Sequence, residues 1–255
     1  MEVFILPDEK AIGEAIAARI QKVFEANPKS NLGVATGSSP LSTYKALIDL
    51  VNAGKLSFKD AHFFMLDEYV GIDENHPERY RNVIMTEIAS QVDVDPENVH
   101  GPNGNADDLE KAVQEYDNLI KETGGVDLQI LGIGSDGHIA FNEPGGSLVS
   151  RTHVGVLTKQ TREDNARFFD GDLSKVPTHC VTQGLGTIMD ARELCLVATG
   201  ENKAEAVAQL VEGGISALWP ATIMQMHPKA AIFIDEAAAS KLKLIDYYRE
   251  IQAQS

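Results

Sequence analysis

Short apolar runs alternate with amphipathic segments along almost the whole chain, and this alternation constrains the fold more than any other feature. The runs have the length of buried strands, and the segments between several of them carry apolar residues at helical spacing. Strands are predicted at 3–6, 31–36, 61–66, 99–101, 128–133, 154–157, 180–182, 194–199 and 230–234, and helices at 9–26, 42–51, 79–91, 109–122, 202–211 and 237–251. This order predicts an α/β fold with a mostly parallel sheet flanked by helices.

Composition and charge exclude several functional classes. The 255 residues are 43% hydrophobic and 24% charged, and no linker or repeat divides them, so residues 1–255 are expected to form a single domain. A formal net charge of −16 argues against binding to nucleic acid or to an anionic membrane. No signal peptide or membrane span is predicted, and Cys180 and Cys195 lie in apolar runs typical of buried thiols. A cytoplasmic protein is expected.

The strand at 128–133 is followed by a glycine-rich loop with three ionisable side chains, Asp136, His138 and Glu143. Its G-x-G-x-x-G spacing is not expected to bind a dinucleotide, because Pro144 arrives before any helical pattern begins. The three side chains could ligate a metal, but one histidine without a cysteine cluster favours an acid/base group supported by carboxylates. A loop histidine that is only hydrogen-bonded is the structural alternative.

Two more loops follow strands of the predicted sheet, whose carboxyl ends are where such folds bind ligands. Thr36, Gly37, Ser38 and Ser39 precede a helix, so their backbone N–H groups and hydroxyls predict a phosphate cradle. An ordinary capped turn is the alternative, and the G-K-[ST] pattern of a nucleotide P-loop is missing. Asp67, at the tip of the next strand, is the better candidate for a general base than its neighbour Glu68, because side chains alternate along a strand.

Cationic side chains near these loops could hold an anion. Lys203 falls in the first turn of a predicted helix, where the helix dipole disfavours a cation unless an anionic ligand is also present. Arg162 and Arg167 lie in a polar segment, 158–177, that is predicted to form a lid. A solvated surface charge is the alternative for each.

The blocks ATGSSPLSTYKAL, FFMLDEYVG, LGIGSDGHIAFNEPG, LTKQTREDNARFF, TQGLGTIMDAREL and ATGENKAEAV resemble, in the same order, those of the glucosamine-6-phosphate deaminase family. The resemblance runs nearly end to end and implies a modified Rossmann-like fold. It also implies the conversion of D-glucosamine 6-phosphate and water to D-fructose 6-phosphate and ammonia in amino-sugar catabolism, without metal or cofactor. The related 6-phosphogluconolactonases have a similar D-G-H loop that continues without F-N-E-P.

The resemblance also implies roles for individual residues. Asp67 matches the base that takes the C2 proton of the open-chain sugar and returns it at C1. His138 matches the group that opens the pyranose ring, and Asp136 and Glu143 match the carboxylates that support it. The resemblance also implies that the loop at 36–39, together with Arg167 and Lys203, holds the sugar phosphate.

One departure concerns regulation. Some bacterial members are hexamers activated by N-acetylglucosamine 6-phosphate, which basic residues bind at a subunit interface. Here His153 and Gly155 stand where those members carry Arg and Lys, and Gly146 replaces a serine, although Tyr247 fits a tyrosine of that site. Weak or absent activation is therefore expected, and a homo-oligomer is left as an open alternative. A lactonase on the same fold and a non-catalytic sugar-phosphate sensor are the functional rivals.

Overall fold

The computed structural model describes residues 1–254 and has a seven-stranded sheet at its centre. The strands are β1 (Glu2–Leu6), β2 (Asn31–Val34), β3 (His62–Met65), β4 (Asp67–Tyr69), β5 (Val99–His100), β6 (Leu128–Leu131), β7 (His153–Val156), β8 (His179–Thr182), β9 (Leu194–Ala198) and β10 (Ala230–Asp235). The helices are α1 (Glu9–Ala26), α2 (Leu41–Asn52), α3 (Tyr80–Glu87), α4 (Leu109–Glu122), α5 (Lys159–Asn165), α6 (Leu185–Met189), α7 (Ala204–Glu212) and α8 (Ile245–Gln252).

All neighbouring strands of the central sheet are parallel, in the order β1-β10-β9-β6-β2-β3-β5. Parallel neighbours need crossover connections, and the intervening helices supply them. The predicted fold class, an α/β fold with a mostly parallel sheet flanked by helices, is confirmed. Within residues 1–254, no helix is long and apolar enough to cross a membrane.

Two apolar cores cover the two faces of this sheet. Alternation along β9 shows the division, since Leu194 and Leu196 belong to one core while Cys195 and Val197 belong to the other. Helices α1 and α2 pack in the core that contains Cys195, whereas α4, α6 and α7 contribute to the opposite one. Both cysteines are free and buried, as predicted. Burial on both faces explains why the strands are apolar throughout rather than alternating.

A second, smaller sheet contains the three antiparallel strands β4, β8 and β7. The sequence predicted Asp67 and Tyr69 as a loop beyond the strand at 61–66, but they form β4, which pairs with Cys180 and Thr182 of β8. The pairing partners are more than a hundred residues apart in the chain, so no local pattern could indicate them. This sheet fixes the backbone of Asp67 instead of leaving it on a free loop.

Two other predictions need correction. The closing helix was predicted from residue 237, but α8 begins at Ile245, because Glu212 of α7 accepts hydrogen bonds from the backbone N–H groups of Lys243 and Leu244. These two bonds hold the backbone just before the helix and separate it from the alanine-rich turn that precedes it. The polar segment 158–177 contains α5, which was not predicted. The five-residue helix α6 was not predicted either, because it is too short to show a helical spacing of apolar residues.

Candidate active site

A cleft of about 1170 Å³ opens at the carboxyl ends of the central strands. Its walls come from the segments that follow β2, β3, β6 and β9, together with α3 and α5. Of the predicted site residues, Thr36, Gly37, Ser38, Ser39, Asp67, His138, Arg167 and Lys203 line it directly. Asp136 and Glu143 do not line the cleft, but the carboxylates of both lie near Nδ1 of the His138 ring. The fold therefore brings all ten predicted positions to one place.

The loop before α2 is open to an anionic ligand. Gly37 has a φ of +90°, a conformation that glycine adopts without strain, and Ser38 is exposed. In the described part of the chain, no acceptor contacts the backbone N–H groups of Gly37, Ser38 or Ser39. The hydroxyl of Tyr44 bonds both the N–H and the carbonyl of Ala35, which fixes the start of α2 against the end of β2. These free donors at a helix N-terminus can hold a phosphate.

Two cations stand across the cleft from this loop. Lys203 lies at the end of a short 3₁₀ turn, directly before α7, and Arg167 lies in the segment after α5. Burial lowers the pKa of Lys203, against the opposing effect of Asp136 and Asp164 and in the same direction as Arg167. A half-buried ammonium whose pKa is lowered beside a guanidinium is stabilised when a dianion binds between them.

Asp67 is a buried carboxylate without a counter-ion. Asp67 is only 7% exposed, and no donor in the described residues contacts its carboxylate. Burial, and then the charge of Glu68, raise the pKa of Asp67 to about 8. A carboxyl whose pKa lies near neutrality, in a cleft, is well suited to take and return a proton.

Glu68, the adjacent acid, has a different environment. Its carboxylate accepts hydrogen bonds from the backbone N–H groups of Tyr69, Tyr80 and Arg81. It therefore caps the first turn of α3, which has no side-chain cap of its own. Burial raises the pKa of Glu68 although these three donors oppose the effect. The expectation that only one member of the pair faces the cleft agrees with this geometry.

The ring of His138 is held by two carboxylates. Nδ1 lies 2.7 Å from Oδ1 of Asp136 and 4.0 Å from Oε2 of Glu143, which leaves Nε2 as the ring nitrogen free to reach a ligand. Partial burial acts to raise the pKa of Asp136, but the hydrogen bond and charge of His138 hold it below the ordinary value. A Cβ on Gly134 would lie 2.3 Å from Nδ1, so only glycine leaves room for the ring.

The same three residues could also ligate a cation. One ligand atom from each of Asp136, His138 and Glu143 lies within 4.8 Å of the others. However, Nδ1 already bonds Asp136, and a metal there would displace that bond and remove the orienting contact. The geometry serves an acid/base imidazole directly, and the metal alternative is left to a chelator test.

Two residues at the cleft were not singled out from the sequence. Thr161 of α5 donates from Oγ1 to Oε1 of Glu143 at 2.5 Å, and Asn165 of the same helix donates from Nδ2 to the hydroxyl of Tyr69 at 2.9 Å. Their signal was present, because two polar residues four positions apart share one face of a helix. The segment TKQTREDN is polar throughout, however, and nothing in it distinguished these two from their neighbours.

Comparison with known proteins gives consistent results. A family model described as glucosamine-6-phosphate isomerases/6-phosphogluconolactonase matches residues 9–233. The glucosamine-6-phosphate deaminase of Mycolicibacterium smegmatis is 59% identical, over 98% of this chain and 96% of its own.

Solved structures extend this similarity to the backbone. A structure described as a monomeric glucosamine-6-phosphate deaminase, the missing link of the NagB superfamily, is 38% identical with a TM-score of 0.91, covering 94% of this chain and 100% of that one. A 6-phosphogluconolactonase from Thermotoga maritima is 20% identical with a TM-score of 0.73, over 92% of this chain and 99% of its own, and shows a shared fold alone.

Proposed function

The chain belongs to the family of glucosamine-6-phosphate isomerases and 6-phosphogluconolactonases, and we propose that its cleft deaminates D-glucosamine 6-phosphate through two separate proton-handling groups. The reaction converts the aminosugar phosphate and water to D-fructose 6-phosphate and ammonia, in amino-sugar catabolism. Different residues bind the phosphate, open the ring and move the proton between carbons. The observation that carries the proposal is the pairing, in one cleft, of a partnerless buried carboxylate with a carboxylate-held imidazole.

The phosphate anchors the substrate at the end of the cleft formed by residues 36–39, Arg167 and Lys203. N–H groups and two cations neutralise its charge far from the reacting carbons, so this binding energy positions C1 and C2. The acidic surroundings of the remaining cleft disfavour a second phosphate elsewhere, which gives the substrate one orientation.

His138 opens the pyranose ring. Its Nε2 gives a proton to the ring oxygen and takes the proton of the C1 hydroxyl, so the C1–O5 bond breaks and the aldehyde forms with no net change in protons. Asp136 stabilises the charged ring through Nδ1, and Glu143 adds negative charge behind it.

Asp67 then shifts the proton between carbons. It takes the proton from C2, the electron pair moves toward the C1 carbonyl, and the C1 oxygen gains a proton that the C2 ammonium loses. The same carboxyl then returns its proton to C1, which leaves a protonated imine at C2 and a hydroxyl at C1. Water adds to that imine and ammonia leaves, giving the ketone. In the substrate complex, the ammonium on C2 lies beside Asp67 and favours its ionised form, which offsets the burial that raises its pKa to about 8.

The whole chain is proposed to act as one domain, with residues 158–177 as a lid, in the cytoplasm. Weak or absent activation by N-acetylglucosamine 6-phosphate is proposed because His153, Gly155 and Gly146 line a second cavity of about 260 Å³ without a lysine or arginine among its lining residues. A hyperbolic rate curve that this compound leaves unchanged is expected. A homo-oligomer stays a prediction, which light scattering tests directly.

The deciding experiment measures ammonia and fructose 6-phosphate released from glucosamine 6-phosphate in the presence of a metal chelator. Stoichiometric release of both products is expected. Hydrolysis of 6-phosphogluconolactone without ammonia release would favour the lactonase, and tight sugar-phosphate binding without turnover would favour the sensor. Loss of activity on chelation, restored by a divalent cation, would favour the metal alternative.

A further inference from the structure

Helix α5 contacts the floor of the cleft through two side chains on one face. Thr161 is 6% exposed, and its hydroxyl donates to Oε1 of Glu143, while Asn165, one turn later, donates to the hydroxyl of Tyr69. The solvent side of the same helix carries an exposed ion pair between Lys159 and Glu163. Both faces of the helix are therefore polar, and the inner face makes hydrogen bonds with residues of the site.

Each contact ends next to one of the two proton-handling groups. Glu143 faces Nδ1 of His138 with Oε2, which is buried and has no hydrogen-bond partner within residues 1–254. Tyr69 stands two residues beyond Asp67 on β4, and its hydroxyl also accepts a hydrogen bond from Tyr80. One contact of α5 thus ends on a carboxylate beside the ring-opening group, and the other ends on a tyrosine of the strand that carries the base.

The contact from Thr161 controls where the charge of Glu143 points. Apart from that hydroxyl, Oε1 has one further donor, the backbone N–H of Thr158, at 3.5 Å. The Thr161 hydroxyl is itself oriented by Oγ1 of Thr158 at 3.0 Å. Without the Thr161 donor, the Glu143 carboxylate has little to keep Oε2 directed at the imidazole, and it is free to rotate away from the ring.

The phosphate-binding cation continues the same segment. Arg167 follows Asn165 by two residues, and Phe168, which lies under its guanidinium at 4.7 Å, lines the cleft. A phosphate bound to Arg167 is therefore linked, through two residues of backbone, to the helix that contacts Glu143 and Tyr69.

From these contacts we propose that Thr161 and Asn165 are positioning residues, which fasten the lid helix to the ring-opening group and to the base and so connect phosphate binding to proton transfer. The proposal rests on the function proposed above and adds residues to which that function assigns no role. Neither residue reacts with the substrate. Thr161 acts through Glu143, and Asn165 acts through Tyr69.

The test compares variants of an enzyme whose wild-type activity is measured first. Thr161→Val keeps the shape of the side chain and removes the hydroxyl, Asn165→Leu removes the amide, and Thr161→Ser restores the donor. Glu163→Gln, on the solvent face of the same helix, is the matched control. Steady-state kinetics with glucosamine 6-phosphate give kcat and KM, and hydrogen exchange of the amides in residues 159–168 reports how firmly the helix is held.

Thr161→Val is expected to lower kcat about tenfold or more with a smaller change in KM, and Thr161→Ser to recover most of it. Asn165→Leu is expected to lower kcat as well, and both variants should exchange faster than wild type in residues 159–168, while Glu163→Gln matches wild type. The proposal is overturned if Thr161→Val and Asn165→Leu behave like Glu163→Gln, or if Thr161→Ser is as impaired as Thr161→Val. An inactive wild type would instead count against the proposed function, and the exchange comparison would still decide whether the two contacts hold the helix.

Discussion

Asp67 and Asp136 are the same kind of side chain in the same active site, yet their environments move their pKa values in opposite directions. Burial and Glu68 raise the pKa of Asp67 to about 8, whereas the hydrogen bond and charge of His138 outweigh partial burial and lower that of Asp136. A carboxylate whose pKa is raised is the stronger base, so it can take a proton from carbon and return it. A carboxylate whose pKa is lowered stays ionised, which suits it to stabilise a neighbouring cation. The two roles therefore follow from position rather than from residue type.

The largest expected effect comes from removing the two acids separately. Asp67→Asn should lower kcat by about a thousandfold or more, because an amide cannot take the C2 proton, whereas Asp136→Asn should cost about tenfold, because its amide oxygen still accepts from Nδ1. The measurement is solvent deuterium incorporation at C2 of the sugar together with ammonia release. Retained exchange in Asp67→Asn would falsify its role as the base and remove the contrast.

A smaller effect should separate ring opening from carbon chemistry. His138→Gln is expected to slow turnover of the cyclic sugar about a hundredfold and to affect an open-chain substrate analogue much less, since that analogue needs no proton on a ring oxygen. Initial rates with the two compounds give the ratio. Equal losses with the two compounds would mean that the imidazole acts after the ring has opened. Ring opening and carbon proton transfer could then not be assigned to separate residues.

The smallest effect is on stability, and its sign differs between the two acids. The folded protein holds the proton of Asp67 up to a pKa of about 8, while the unfolded chain releases it near its ordinary value, so stability is lost as pH rises through that window. Asp67→Asn does not titrate and should raise the free energy of unfolding by about 2–4 kcal/mol at pH 8.5 and by less at pH 5.

Asp136 provides the opposite case. Its lowered pKa contributes stability above the ordinary value, and that contribution is lost as pH falls through the folded pKa, so Asp136→Asn should destabilise at neutral pH. Urea unfolding of both variants at the two pH values checks the pair. If both substitutions changed the free energy of unfolding in the same direction, the two carboxylates would not have opposite pKa shifts.

The contrast also shows what the sequence could and could not predict. The loops at 36–39 and 132–138 each follow a short run of apolar residues. Such a run is visible in the local sequence and predicts a buried strand, so both loops were predicted at the carboxyl edge of the sheet. The raised pKa of Asp67 comes first from its burial, and Asp67 lies on β4, which pairs with β8 from a distant part of the chain. No reading of neighbouring residues can supply that burial.

Glu68 and Thr161 illustrate the same limit on a smaller scale. Glu68 caps α3 through N–H groups twelve and thirteen residues away, and Thr161 bonds a carboxylate eighteen residues away. Both contacts depend on how separate elements dock, and side-chain hydrogen bonds of that kind leave no periodic trace in the sequence. The residue types indicated which chemistry the site can perform, whereas the tertiary contacts determine which residue has which role.

The order of strands in the central sheet has a consequence for synthesis on the ribosome. Within residues 1–254, β1 pairs only with β10, which lies more than two hundred residues later in the chain and also covers the free edge of β9. Until the final strand has left the exit tunnel, a nascent chain carries two exposed, apolar strand edges, which invite pairing with other chains. A transcript or polypeptide cut short before residue 230 would therefore yield aggregation-prone material rather than a partly working enzyme.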